Sequence, residues 1–207
     1  MPEIRAGDDL AALIAAAADF EQDDILVVSH KVVSKAEGRV VNGDKLEVVL
    51  GEAQRIIRRR GDFVIAETRH GFVCASAGVD ASNAPEATAF VLLPEDPDAS
   101  AARLHEQLGV AVIISDSFGR PWRQGTIDIA IGVAGLAPLL DYRGQTDPAG
   151  YELRSTVIAV ADEIASAAEL VKGKTAGVPV AIVRGLSPAG NGSARELVLP
   201  AERDLFR

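Results

Sequence analysis

The run Val110-Ala111-Val112-Ile113-Ile114 carries no polar side chain and then breaks at once into Ser115-Asp116-Ser117-Phe118-Gly119-Arg120-Pro121-Trp122-Arg123. A strand that is apolar on both faces needs cover on both faces, which an α/β arrangement supplies. Ile25–Val28, ending in Ser29, and Val178–Val183 read the same way. Polar residues crowded at the carboxyl end of such a strand sit where α/β proteins bind ligands. Here they combine hard oxygen donors for a cation, Asp116 and Ser117, with two guanidinium forks for phosphate or carboxylate, Arg120 and Arg123.

The rest of the chain fills in around these strands. Asp8-Asp9-Leu10 opens a helix whose Ala-rich run extends to Phe20. Residues 45–60 are expected to form one helix, with Leu46, Val49, Leu50, Ala53, Ile56 and Ile57 on a stripe and Arg58-Arg59-Arg60 at its carboxyl end. Residues 63–67 and 71–75 read as paired strands and 89–93 as another, while a helix over 99–108 feeds the run at Val110. A strand over 127–133 precedes a Gly/Pro-bearing loop from Leu136 to Pro148. Val157–Val160 leads into an Ala-rich helix over 162–171, and residues 187–193 read as loop. Strands outnumber helices and strict alternation is absent. The expectation is therefore α/β with mixed sheets and flanking helices, not a plain Rossmann fold. At 207 residues it makes a single domain, 1–207, or two subdomains sharing one core.

Bulk properties narrow the function. A net charge of -9 opposes non-specific nucleic-acid binding, although local arginines and lysines can still hold anionic small molecules. The single cysteine, Cys74, lies in an apolar run and reads as a packed core thiol. No apolar segment approaches the roughly 20 residues that span a bilayer, and no signal peptide is evident, so a cytoplasmic protein with no membrane partner is expected.

Familiar catalytic patterns are missing: there is no Walker sequence, no GxGxxG after a strand, no GxSxG, no HExxH and no paired CxxC. The three histidines show no ligand spacing, and His105, on a charged helix, reads as solvated. Four segments remain. Ser29-His30-Lys31-Val32-Val33-Ser34-Lys35 through Arg39 offers ammonium groups for phosphate oxygens, or is a solvated basic turn. Glu67-Thr68-Arg69-His70-Gly71 is a polar bridge that a plain hairpin turn explains equally well. Ala77-Gly78-Val79-Asp80-Ala81-Ser82-Asn83 gathers oxygens in one region, or is an Asx turn. The opening segment is the fourth, and Pro121-Trp122 argues against a mobile loop there. Jointly they describe two strand-end aspartates for a metal and basic groups for phosphates.

These segments together resemble the coenzyme F420-0:γ-glutamyl ligase family. The matching stretches are VVSHKVVSKAEGRVV, ETRHGFVCASAGVDASNA, ISDSFGRPWRQGTIDIAIGVAGLAPLLDYRG, VADEIASAAELVKGK and the terminal DLFR. The resemblance implies a GTP-dependent amide ligase that adds L-glutamate to F420-0 and then γ-linked glutamates, through an acyl phosphate. It also implies Mg²⁺ or Mn²⁺, two ions in all, K⁺ as activator, and an intertwined homodimer. Within it Asp80 and Asp116 match the metal-binding aspartates and Ser117 a ligand of the second metal. His30, Lys31, Lys35 and Asn83 match nucleotide contacts, as do Met1, Pro2, Glu3 and Ile4 and the segment Val171-Lys172-Gly173-Lys174. Arg69, Arg120, Arg123 and Asp128 are added from their chemistry: the arginines for acidic substrates, with Arg120 and Arg123 at the reaction centre beside Asp80 and Asp116, and Asp128 to orient an amine or a neighbouring group.

The pattern also departs from the family. Only Asn42-Gly43-Asp44-Lys45 separates Val41 from Leu46 where relatives carry a longer polar insertion, and Lys174 stands where some relatives place an acidic or amide metal ligand. The chain also starts later than the family pattern. Some relatives fuse a nitroreductase-like domain downstream; here the expectation is the ligase unit alone. A nucleotide- and metal-binding homologue without catalysis, or a ligase for another phosphorylated acid, are the competing readings.

Overall fold

The computed structural model describes residues 1–84, 86, 88–186 and 188–205. Ser187, at the start of the expected terminal loop, and Phe206 and Arg207 of the terminal DLFR stretch lie outside the described residues. In chain order the elements are α1 Leu10–Ala15, β1 Ile25–Ser29, α2 His30–Ala36, β2 Val40–Asn42, α3 Lys45–Glu52, β3 Ala53–Arg60, β4 Phe63–Thr68 and β5 Val73–Ala75. They continue with β6 Ala89–Val91, α4 Pro97–Leu108, β7 Ala111–Arg120, β8 Arg123–Ala134, β9 Leu140–Asp141, β10 Val157–Ile158, α5 Val160–Lys172 and β11 Val180–Val183. The fold is mixed α/β with several sheets.

The site is positioned by a four-stranded sheet in the order β11-β1-β7-β8. β1 runs parallel to β7, with Val27 opposite Ile113, and antiparallel to β11; β7 and β8 form an antiparallel hairpin. Strand periodicity sends alternate side chains to opposite faces. Leu26, Val28, Val112 and Ile114 pack with Leu10, Ile14, Val33 and Leu104 from α1, α2 and α4. Ile25, Val27 and Ile113 pack on the other face with Val160, Ala161, Ile164, Ala165 and Ala168 of α5. Each buried aliphatic side chain contributes about 1.5–3 kcal/mol relative to exposure, so both faces anchor the central pair of strands.

α4 lies close on the sheet because Gly132 leaves room for it: a Cβ there would meet the Pro97 carbonyl oxygen at 2.3 Å. Asp96 caps α4 by accepting from Ala99 N, and Gly109 closes it with φ 72°. Against expectation His105 is not solvated. It is partly buried, and its Nδ1 lies 2.8 Å from the Val110 carbonyl oxygen in the turn into β7.

A second group of elements surrounds Val49, Val64, Ala66, Ala77, Val79, Phe90 and Leu92. It comprises the sheet β3-β4-β5, the pair β2-β6 and α3. The helix expected over 45–60 is here two elements, α3 and then β3. The apolar positions fit a helical stripe, but Ala53–Arg60 finds a ladder partner in Phe63–Thr68 across the Gly61 turn, and Arg55 bonds Glu67 at 2.8–3.0 Å. Pairing with the next strand overrides helical propensity. The first helix is likewise shorter than expected: beyond Ile14 the alanines are exposed, with no apolar partner to hold another turn.

The largest difference concerns the opening motif. β7 does not end at Ile114 but runs on to Arg120, with bulges after Ile114 and Gly119, and turns back through Pro121-Trp122 into β8. Trp122 stands at the turn with φ 56° and is 80% exposed. The apolar run ends where the strand leaves the cover of the helices, not where the strand stops. Among the described residues no helix is long and apolar enough to cross a membrane.

Candidate functional site

A cavity of about 520 Å³ opens where β1 ends, beside the first polar residues of β7 and the carboxyl end of α5. Four ammonium groups and three aspartates stand on its wall: Lys31, Lys35, Lys172 and Lys174, with Asp80, Asp116 and Asp128. α2 starts directly at the end of β1, so Lys31 and Lys35, four residues apart, share one helix face toward the cavity. The N-terminal segment Met1–Ile4 forms another part of the wall, and Glu3 pairs with the buried Lys35 ammonium.

Asp80 is placed by a left-handed turn. Ser76 and Ala77 have φ 54° and 50°, and Gly78 packs so tightly that a Cβ would lie 2.7 Å from Leu93. Asp80 then bridges backbone-to-backbone with Val91, and its Oδ1 accepts from Ser82 N at 2.6 Å. The Asx turn and the oxygen cluster read from the sequence are the same object. Lys31 Nζ lies 2.8 Å from Asp80 Oδ2 and 2.5 Å from Ser82 Oγ. Burial raises the Asp80 carboxyl, but the Lys31 bond and charge and the Ser82 N–H outweigh it and hold it below the ordinary range.

Asp116 lies partly buried on β7. Its Oδ1 accepts from Ser117 N at 2.7 Å and lies 3.2 Å from His30 Nε2. That imidazole is fully buried behind the carboxylate, and its Nε2 makes no well-formed hydrogen bond.

Asp128 sits on β8, opposite Ser117 in the hairpin register. It is 3% exposed and accepts hydrogen bonds from Ser117 Oγ at 2.6 Å, Ser115 Oγ at 2.9 Å and Lys172 Nζ at 3.0 Å, with Lys174 Nζ at 3.3 Å. Burial opposes its ionisation, but the Ser117 hydroxyl and the Lys172 charge prevail and hold the carboxyl well below the usual range. Lys172 continues the buried stripe of α5 formed by Ala161, Ala165 and Ala168, so its ammonium enters the core where an apolar residue would otherwise stand. Gly173 ends the helix at φ 60°, ψ -179°, a region essentially restricted to glycine, and sends Lys174 back toward Asp128.

Comparisons with known proteins identify the family. The family model described as F420-0:Gamma-glutamyl ligase matches residues 1–48 and 42–185. The chain belongs to this family. A protein of Methanopyrus kandleri is 45% identical over 237 positions, covering 99% of this chain and 94% of the relative. Relatives in Methanothermobacter thermautotrophicus and Methanocaldococcus jannaschii are 43% and 40% identical, each over 100% of this chain and 96% and 94% of their own length. All three are named coenzyme F420:L-glutamate ligase. The alignment to the first runs over 237 positions against a chain of 207, leaving roughly thirty positions without a counterpart here. The two matched stretches meet at residues 42–48, where β2 passes through Gly43-Asp44 straight into α3.

Of the residues that the family pattern assigns, the cavity gathers Met1 to Ile4, Lys31, Lys35, Asp80, Asn83, Asp116, Ser117 and Lys172 to Lys174. His30 stands behind the wall, and Val171 is exposed on α5 outside it. The added Asp128 lines the cavity; Arg69, Arg120 and Arg123 do not. Arg69 pairs with Glu95 and Glu52 near a separate cleft. Arg120 and Arg123 lie at the far end of the β7–β8 hairpin, where Arg120 Nη2 donates to the Gln124 carbonyl. The extended hairpin carries them away from Asp116 and Ser117.

Wall residues given no role from the sequence include Ser115, Glu169 and Thr175. Glu169 had a usable signal, its i, i+3 spacing from Lys172 on one helix face.

A divalent ion suits part of this wall. Among the described residues no cluster of three or more His, Cys, Asp or Glu converges on one point. Two carboxylates, Asp80 and Asp116, are what an ion needs when phosphate oxygens and water complete its shell.

Proposed function

We propose that this chain is a GTP-dependent ligase that joins L-glutamate to coenzyme F420-0 and then adds γ-linked glutamates. The observation that carries this reading is the single cavity walled by Lys31, Lys35, Lys172 and Lys174 together with Asp80, Asp116 and Asp128, in a member of a family whose relatives are named for that reaction. Lys31 and Lys35, one turn apart on α2, are spaced to take oxygens of neighbouring phosphates. Asp80 and Asp116 would hold Mg²⁺ or Mn²⁺, which spreads the negative charge of the transferring phosphoryl group.

The chemistry requires two displacements. An oxygen of the F420-0 carboxylate attacks the γ-phosphorus, the bond to the β-phosphate oxygen breaks, and GDP leaves. The glutamate amine then attacks the acyl carbon and loses a proton, and inorganic phosphate departs as the amide forms. The chain's part is to bind and orient the reacting groups in the cavity. Asp116, held by the Ser117 N–H with His30 packed behind it, lines the cavity with its carboxylate.

The test is GDP release with Mg²⁺ or Mn²⁺, with and without F420-0 and L-glutamate, and with and without K⁺. Release that requires both acceptors supports the ligase. GTP binding without turnover means a nucleotide-binding homologue, and turnover with another phosphorylated acid in place of F420-0 means a different ligase. Asp116→Asn keeps the shape but loses the charge, and is expected to abolish turnover; near-normal kcat in this variant sinks the cation assignment. The reading includes a homodimer of one-domain subunits, which light scattering on the purified chain checks directly.

A further inference from the structure

The second cation that the family pattern implies meets a side chain already in its place. Lys174 Nζ lies 2.5 Å from Ser117 Oγ, 2.7 Å from Glu169 Oε1 and 3.3 Å from Asp128 Oδ1. Three oxygens from β7, α5 and β8 around one point form the surroundings of a bound cation, and an ammonium fills them. Ser117 donates its hydroxyl hydrogen bond to Asp128, so the lone pairs a metal would use are those that meet Lys174. Gly173 makes this possible, because its glycine-only conformation lets Lys172 and Lys174 approach Asp128 from two sides.

Charge leads to the same conclusion. Asp128 and Glu169 are matched by Lys172 and Lys174. A divalent ion added among them would face two ammonium groups with no carboxylate left to compensate it. The wall at Asp116 differs. Lys31 reaches Asp80 and Ser82, but among the described residues no ammonium meets the Asp116 carboxylate.

We propose that Lys174 is a tethered cation standing in the place of the second metal ion. The site then takes one divalent ion, at Asp80 and Asp116, while the Lys174 ammonium presents the second positive charge to the anionic substrates. Its side chain is 58% exposed, so the ammonium can meet them in the cavity. This rests on the reading of Asp80 and Asp116 as cation ligands.

The experiment counts ions directly. The full chain, saturated with the β,γ-methylene analogue of GTP, is titrated with Mn²⁺, and free Mn²⁺ is read by electron paramagnetic resonance. Wild type is expected to bind one ion per chain, and Lys174→Gln, which removes the ammonium and supplies an amide oxygen, twice as many. Lys174→Met, which frees the same oxygens without adding one, serves if the Gln variant does not fold. Two ions on the wild type, or one on a folded variant, overturns the proposal while leaving the first site standing. No ion on the wild type, or one that Asp116→Asn leaves undisturbed, refutes the underlying cation assignment and the proposal with it.

Discussion

Replacing Asp128 by Asn keeps the shape of a side chain that is 3% exposed and removes its charge. With its amide oxygen in the Oδ1 position the side chain can still accept from Ser117, a bond worth about 1 kcal/mol. The amide nitrogen, however, faces the Lys172 ammonium, donor against donor. Lys172 is itself 2% exposed and would keep only Ser115 Oγ at 2.8 Å. Lys174 loses less, because it is half in solvent and keeps Glu169. Stranding one member of a buried pair costs about 3–5 kcal/mol, which outweighs the retained hydroxyl bond. With a urea slope of about 2–3 kcal/mol per molar, the unfolding midpoint falls by about 1–2.5 M. Circular dichroism during urea titration at neutral pH measures this. Adding Lys172→Met to Asp128→Asn removes the stranded charge and is expected to recover about 2 kcal/mol. Because the native carboxyl is held low, its contribution is present above about pH 4 and is lost as pH falls through the native value, so the variant's acid limb is shallower. A midpoint for Asp128→Asn within about 0.3 M of the wild type would refute the reasoning.

Three further outcomes are expected. Lys35→Ala raises the KM for GTP more than it lowers kcat if its ammonium holds a phosphate in ground and transition states alike; an unchanged KM returns Lys35 to a structural partner of Glu3. Asp24, held at about 2 by its Arg184 bonds, contributes stability that is complete above about pH 4 and disappears as pH falls toward 2. Asp24→Asn therefore flattens the acid side of the Tm–pH profile, and an unaltered profile counts against the pair. The Cys74 thiol is buried and pushed up to about 12, first by burial and then by the Asp116 charge. Alkylation by iodoacetamide at neutral pH is slow until denaturant is added, and rapid labelling of the native chain would contradict this packing.

What the sequence alone determined is what periodicity and residue chemistry encode locally. Ile25–Val28 and Val110–Ile114 were legible as strands because burial on both faces leaves an unbroken apolar run, and residues 99–108 as a helix, which the structure begins two residues earlier, at Pro97 behind the Asp96 cap. The relatives' long ordered motifs were legible for the same reason: they are contiguous. The tertiary structure decided whatever depends on a partner outside the segment itself. Residues 53–60 became a strand only because 63–68 offered a ladder, and β7 ran past its apolar run because β8 paired with it to the end. That same extension carried Arg120 and Arg123 out of the cavity and brought Asp128 opposite Ser117. Lys174 shows the distinction most sharply. In the sequence it is a basic residue after a glycine; in the fold it closes a ring of oxygens from three elements, because a charge takes its role from neighbours that only long-range folding supplies.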